Sequence, residues 1–386
     1  MHPEQLNHFA MAASGTPPAP ITLFLCGDVM TGRGIDQVLP HPSEPVLYES
    51  YMRSAAGYVQ LAEEKNGPLA RPVDFSYIWG DALTVLSELQ PDLRIINLET
   101  SVTTSPDFWP GKGINYRMHP ENIGCLTAAA IDCCTLANNH VLDWGRAGLV
   151  ETLEVLRQAG LASPGAGLDL QQAETPASLI VPGKGRLLVF AWGSGTSGVP
   201  DDWAAGPARP GVNLLPDFSG HTLWRIKTAV SAIRQPGDVV LLAIHWGGNW
   251  GYHVPAEQRR FAHQLIDEAG VDLVCGHSSH HVKGIEVYHE RLILYGCGDF
   301  LNDYEGIADY EQFRGDLTLM YFPALDPSTG RLVRLRLAPM QIRRFQVKRP
   351  SPADCRWLAG VLSREGQQFG TRVEADEGGM FSLRWD

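Results

Sequence analysis

Along the chain, short apolar runs rich in Ile, Val and Leu alternate with stretches whose apolar residues recur at helical spacing. The runs at 21–25, 93–97, 133–136, 187–191, 239–245 and 271–275 predict buried strands. Amphipathic patterns near 47–65, 80–90, 121–130, 146–159, 221–234 and 256–269 predict helices between and after them. The last pattern opens with Pro255, which suits a first helical turn, and closes at Gly270, a good C-terminal cap. After Gly284 the character changes. Residues 285–288 and 292–296 read as a hairpin around His289-Glu290, strands follow near 316–322 and 331–337, and a helix near 354–365. Alternating strands and helices that give way to consecutive strands predict an α/β fold, with sheets packed together and helices outside.

Composition narrows the class. A chain of 386 residues allows one large domain or two ordinary ones at about 150 residues each. Hydrophobic residues make up 44%, and 40 Gly with 27 Pro fall well short of a low-complexity chain, so a full core is expected. Residues 1–20, ending Thr16-Pro17-Pro18-Ala19-Pro20, read as a flexible leader. A net charge of −12 repels polyanions and argues against nucleic-acid partners. The seven cysteines contain no C-x-x-C pair and mostly lie in apolar runs, as expected of buried thiols in a reducing compartment. The first 20 residues lack a secretion-signal pattern, and the run at 239–244 is far too short for a membrane span. A cytoplasmic protein without a membrane span is expected.

What ends the strands carries the chemistry. The first runs into Cys26-Gly27-Asp28-Val29-Met30-Thr31-Gly32-Arg33-Gly34, and the second ends Asn97-Leu98-Glu99. The third gives Ala137-Asn138-Asn139-His140 followed by Asp143, and later strands end His245-Trp246-Gly247 and Gly276-His277-Ser278-Ser279-His280-His281. In α/β sheets the carboxyl edge of the strands is where ligands bind. Oxygen donors with imidazoles and no thiolates suit Mn, Fe, Ni or Zn. These donors outnumber what one tetrahedral ion requires, and two ions about 3.5–4 Å apart, sharing a carboxylate and activating a water, would use them all.

The ordered set Gly-Asp-Val-Met, Asn-Leu-Glu, Ala-Asn-Asn-His, His-Trp-Gly and Gly-His-x-x-His resembles the poly-γ-glutamate capsule synthesis (CapA) family, a branch of the calcineurin-like metallophosphatase superfamily. The similarity covers roughly residues 21–304, ending at Leu294-Tyr295-Gly296-Cys297-Gly298-Asp299-Phe300. It implies a four-layer α-β-β-α sandwich of the metallophosphatase type, with a catalytic domain over 21–310 and the strands and helix of 311–386 packed on it. It also implies two divalent ions, Mn, Fe or Zn. Asp28 and His280 would bind the first, Glu99 would bridge, and Asn139, His245 and His277 would bind the second. His140 would be the non-ligand histidine that stabilises charge or protonates a leaving group, oriented by Asp143. Arg33 would face a substrate anion, with a strand-end salt bridge as its alternative role.

Two positions depart from the superfamily pattern. Met30 stands where a metal-binding His is usual, which leaves the first site short of a donor unless His281 fills it. Asp299 stands where Asn is common, adding a carboxylate before Tyr304 and Glu305. The expected function is a metal-dependent hydrolase acting on a phosphoester or a γ-glutamyl-type amide of a small molecule or acidic polymer. The alternative is a non-catalytic accessory protein of capsule polymer synthesis that binds metal and acidic polymer. Between Pro327 and Ala353 lie seven Lys or Arg and no acidic residue, read as a charged edge strand or a strip for an acidic polymer. Trp246, Trp250 and Tyr252 are expected either to line a pocket or to pack their loop.

Overall fold

A computed structural model of the chain describes residues 19–307 and 309–386, so most of the expected leader lies outside the described residues. The apolar runs form two sheets. The larger has nine strands in the order Thr371–Ala375, Phe381–Trp385, Leu332–Ile342, Leu317–Leu325, Ile21–Val29, Leu93–Leu98 and Cys133–Thr135, with Val347–Lys348 beside Leu332–Ile342. The short strand Asp299–Leu301 pairs with the carboxyl end of Ile21–Val29, where Leu317–Leu325 leaves off. The second sheet has seven strands, ordered Leu214–Leu215, Gly185–Ser194, Asp238–His245, Leu273–His277, Arg291–Leu294 and Ile285–Tyr288, with Ala177–Val181 against Gly185–Ser194.

Period-two alternation sorts each strand's side chains into layers. Ile21, Leu23 and Leu25 of the first sheet meet Val189, Leu241 and Leu273 of the second in one core between the sheets. Phe24, Cys26 and Ile96 point the other way, onto Leu86 of helix Ala82–Leu89 and Leu149 of helix Gly145–Gln158. On the far side, Phe190, Leu242 and Val274 pack on Ile226 of helix Gly220–Ile233 and Phe261 of helix Ala256–Asp267. The result is the expected α-β-β-α sandwich, with helix Pro352–Gly366 adding Leu358 and Leu362 to the inter-sheet core.

Several expectations need correction. The helix expected over 47–65 begins only at Ala56; residues 47–55 run as a loop closed by a bridge between Val46 and Ser54. The helix expected at 121–130 divides into a 3-10 turn, Pro120–Ile123, and a short helix, Gly124–Ala128. The strand carrying the basic strip lies inside the sheet, because Phe381–Trp385 and Thr371–Ala375 cover it, so it is not an edge strand. The hairpin turn at His289 and Glu290 has φ of 46° and 61°, the conformation that suits a two-residue connection between twisted strands. All seven cysteines are free thiols and six are buried. No helix among the described residues is long and apolar enough to cross a membrane.

Candidate metal centre

Strand register assembles the site. At the carboxyl end of Ile21–Val29, Asp28 pairs with Asn97 on one side and Asp299 on the other. In the facing sheet His245 pairs with His277. Gly27 permits the close approach of the 297–298 backbone: a Cβ there would lie 1.7 Å from the Gly298 oxygen. Ser278, strained at φ 90°, aims its N–H at Asp28 Oδ2 at 3.0 Å.

Donor atoms of the buried residues Asp28, Glu99 and His245 all lie within 4.8 Å of one another. His277 Nδ1 sits 3.0 Å from Asp28 Oδ1, yet it is buried without an aligned hydrogen-bond partner. His245 Nε2 is 3.0 Å from Asn139 Oδ1 and 3.6 Å from Glu99 Oε1. His280 Nδ1 stands 2.9 and 3.0 Å from the two oxygens of Asp299, and its Nε2 lies 2.8 Å from Asn249 Nδ2. Neighbouring ligands on one ion, with bonds near 2.1 Å, are separated by about 3.0–3.4 Å. The buried, unpartnered imidazole nitrogen and the oxygen-imidazole donor set therefore fit a divalent cation.

The electrostatics agree. Burial, and then the charges of Asp28 and Asp299, push the Glu99 carboxyl well above the usual range. Burial opposes ionisation of Asp28, but the His277 ring beside it and His245 hold it at about 2. Burial drives His245 down to about 3. Against burial, Cys275 and Asp28 bring His277 up to about 10, and Asp299 raises His280. Such a concentration of buried carboxylate is what a cation relieves.

His140 sits beside this cluster. Its Nδ1 is 2.6 Å from Asp143 Oδ2, and its Nε2 faces Glu99 Oε1 at 3.9 Å. Burial, reinforced by Lys112 and resisted by Asp143, lowers its pKa to about 4, so the ring is neutral near pH 7. Tyr116 stacks on the ring at 3.8 Å, and its N–H donates to Asp143 Oδ2 at 2.6 Å. Lys112 Nζ reaches Asp143 Oδ1 at 3.0 Å.

Arg33 makes the salt bridges of its alternative role. Its guanidinium is buried and paired with Asp303, with Glu49 at 3.0 Å and with the Tyr58 hydroxyl at 2.9 Å, and the residue borders the cleft that His280 and Tyr304 line. His281 does not fill the first site, for its ring stacks on Phe313 and its Nδ1 meets its neighbour's carbonyl, Val282 O. The aromatic trio divides. Trp246 belongs to the core and donates to Tyr295 O. Tyr252 packs on His281. Trp250 stacks on Tyr310 and lines, with His280, Tyr304 and Arg314, a cleft of about 590 Å³.

Several participants escaped sequence reasoning. Asn97 donates to Asp28 Oδ1 at 2.7 Å and accepts from Thr135 and Asn138, organising three strand ends. The short Asn-Leu-Glu run was its only signal. Lys112, Tyr116 and Asn249 lie on loops and are joined to the site only by folding.

Residues 22–304 match the family described as bacterial capsule synthesis protein PGA_cap. A Mycobacterium tuberculosis protein named as a probable polyglutamine synthesis accessory protein is 46% identical over 357 residues, covering 92% of this chain and 94% of that protein. The capsule biosynthesis protein CapA of Bacillus anthracis is 23% identical over 288 residues, 73% of this chain and 60% of its own length. The PGA biosynthesis protein CapA of Bacillus subtilis is 26% identical over 278 residues, with coverage of 72% and 62%. With the motif residues gathered at the carboxyl ends of two facing sheets and the match spanning most of its length, the chain belongs to the PGA_cap family of bacterial capsule synthesis proteins.

Proposed function

We propose that this chain is a metal-dependent hydrolase of capsule or polyglutamate synthesis, acting on a phosphoester or a γ-glutamyl-type amide. The observation that supports it is His140, fixed by Asp143 at Nδ1 and directed through Nε2 at Glu99. An accessory role in structure alone needs no such pair. Asp28 and His280 would hold a first divalent ion, Asn139, His245 and His277 a second, and Glu99 would be shared. Two such ions, Mn, Fe or Zn, supply an acidified water and positive charge for the developing oxyanion. The protein's own part is proton handling. Neutral His140 accepts at Nε2 the proton the attacking water loses and passes it to the departing oxygen or nitrogen. Asp143 stabilises the imidazolium in between.

The test is turnover of a nitrophenyl phosphodiester, a phosphomonoester and a γ-glutamyl anilide, with Mn²⁺ added and omitted. Metal-dependent turnover that falls about 10²–10⁴-fold in His140→Ala, with metal content retained, is the expected result. A second reading, a non-catalytic accessory that binds acidic polymer, draws on the mycobacterial relative's name and on exposed Arg334, Arg343 and Arg344, which have no carboxylate partner among the described residues. No turnover of any ester or amide, with polymer binding that weakens in salt, would establish that reading instead.

A further inference from the structure

The cleft beside the strand ends, at about 590 Å³, has the size of a small-molecule site, and the segment 309–316 forms one wall of it. Tyr310 lies flat on Trp250, with ring centroids 4.5 Å apart and planes within 8°, yet it stays 48% exposed. Trp250 is backed in turn by Phe313 and by the rings of His280 and His281. The aromatic platform is thus fixed from behind and open in front. Three residues of the segment that are not glycine, Asp309, Tyr310 and Arg314, hold φ of 107°, 63° and 49°. Such strain persists where the surrounding structure enforces it, and it collects at ligand clamps. Gly315 gives the close approach the wall requires: a Cβ there would meet His280 O at 3.0 Å and the Trp250 ring at 3.4 Å.

We propose that this cleft is the specificity pocket of the substrate and takes a planar ring stacked on the free face of Tyr310, so that the bond hydrolysed belongs to a ring-bearing ester. The proposal rests on the reading of the strand ends as a hydrolytic centre. Three observations carry it beyond that reading. The first is the platform itself, a preformed face of the kind on which aromatic rings and nucleobases stack. The second is continuity with the site. The His280 ring lies 5.3 Å from Trp250 and 5.4 Å from Tyr304, and the Tyr304 hydroxyl is 2.6 Å from that of Tyr116, whose ring stacks on His140. A ring on Tyr310 therefore shares its walls with the reacting groups. The third is the balance of the lining. Tyr51 and Ile307, two further large side chains left exposed, face the same cleft. Its charged side chains are four Lys or Arg and four Asp or Glu, with Arg314 already paired to Asp316. The cleft thus offers an acidic polymer no net attraction, and an uncharged, flat group suits it better.

The experiment reads binding in full-length, chelator-stripped protein, where neither metal nor turnover is needed. The probes are adenosine and 4-nitrobenzyl alcohol, titrated by nuclear magnetic resonance beside ribose, which lacks the ring, and γ-glutamylglutamate, which is an acidic chain. Both ring probes are expected to bind and the other two are not. Tyr310→Ala should raise the Kd of the ring probes about tenfold or more, whereas Tyr310→Phe, which keeps the ring, should stay near the wild type. Tighter binding of adenosine assigns a nucleobase to the pocket, and equal or tighter binding of the benzyl alcohol assigns a simple aryl group. No binding of either ring, binding of γ-glutamylglutamate as tight as theirs, or an unchanged Kd in Tyr310→Ala would overturn the proposal. With Mn²⁺ restored, Tyr310→Ala should raise KM for a nitrophenyl phosphodiester and leave kcat in place. Rings bound without any turnover would overturn the hydrolase and leave the pocket. Turnover with no ring bound would overturn the pocket and leave the hydrolase.

Discussion

His140 and Asp143 form a buried dyad, with Nδ1 and Oδ2 2.6 Å apart, in which the carboxylate fixes the tautomer of the ring. The same oxygen takes the Tyr116 N–H, and the other faces Lys112. Asp143 is thereby held from three sides, while His140 keeps Nε2 free toward Glu99.

Replacing Asp143 with Asn should therefore turn the ring over electronically without moving it. An amide N–H facing Nδ1 leaves Nε2 protonated, unable to accept a proton from water. Turnover of whichever substrate the wild type cleaves should fall about 10²–10⁴-fold, with bound metal unchanged. Nitrogen chemical shifts of His140 should show the tautomer change directly. Lys112→Met, which removes the charge but keeps the dyad, should leave the tautomer intact. An unaltered tautomer in Asp143→Asn would refute the orienting role.

Metal should stabilise the fold as well as equip it. Glu99 is buried with Asp28 and Asp299 pressing on it, so a cation that binds only the folded chain relieves their repulsion. Mn²⁺ at about 100 times its Kd should add about 2.7 kcal/mol to unfolding, and excess chelator should remove it. Thermal unfolding followed by circular dichroism would show the shift. His245→Ala should shrink it, and an equal shift in that variant would mean the ion binds elsewhere.

The site was more legible in the sequence than the fold around it. Asp28, Glu99, His140, His245 and His277 each lie at or just past a strand whose apolar run is unmistakable, so position along the chain already placed them at one edge. Lys112, Tyr116 and Asp303 carry no such mark. They reach His140, Asp143 and Arg33 from loops far away in sequence, and nothing local encodes that contact. The helix expected from residue 47 overreached because Tyr48, Tyr51 and Met52 mimic an amphipathic face. In the fold, Tyr48 stacks on Phe108 and Met52 packs against Gly57. The strands Thr371–Ala375 and Phe381–Trp385 were missed because their exposed charges, Glu374 and Arg384, pair only across the finished hairpin.

Arg33 should matter for stability rather than for substrate. Its guanidinium, in a residue only 2% exposed, joins Glu49 on the 47–55 loop to Asp303 beyond the Asp299–Leu301 strand. Arg33→Met would leave two buried carboxylates unpaired and should cost about 3–5 kcal/mol in urea unfolding. Arg33→Lys, which keeps charge but loses the fork, should lose less. Metal content should persist in both, and loss of metal with full stability would instead place Arg33 in the ligand field.

The last expectation concerns acid. His140 is lowered to about 4 by burial, from an ordinary value of 6.5. Between those values the unfolded chain binds a proton at this residue that the folded chain refuses. Unfolding is therefore favoured as pH falls from 6.5 toward 4, and the contribution is fully present only above 6.5. His245, lowered to about 3, acts in the same direction, whereas Glu99, raised by burial and its carboxylate neighbours, acts in the opposite one. The cleanest readout is thus a difference. In metal-free protein, His140→Gln should flatten the fall of unfolding free energy by up to about 1.4 kcal/mol per pH unit across this window. It should leave the profile above pH 7 parallel to the wild type. Parallel curves throughout would mean that the folded ring titrates at its ordinary value, so that burial does not hold His140 neutral between pH 4 and 6.5.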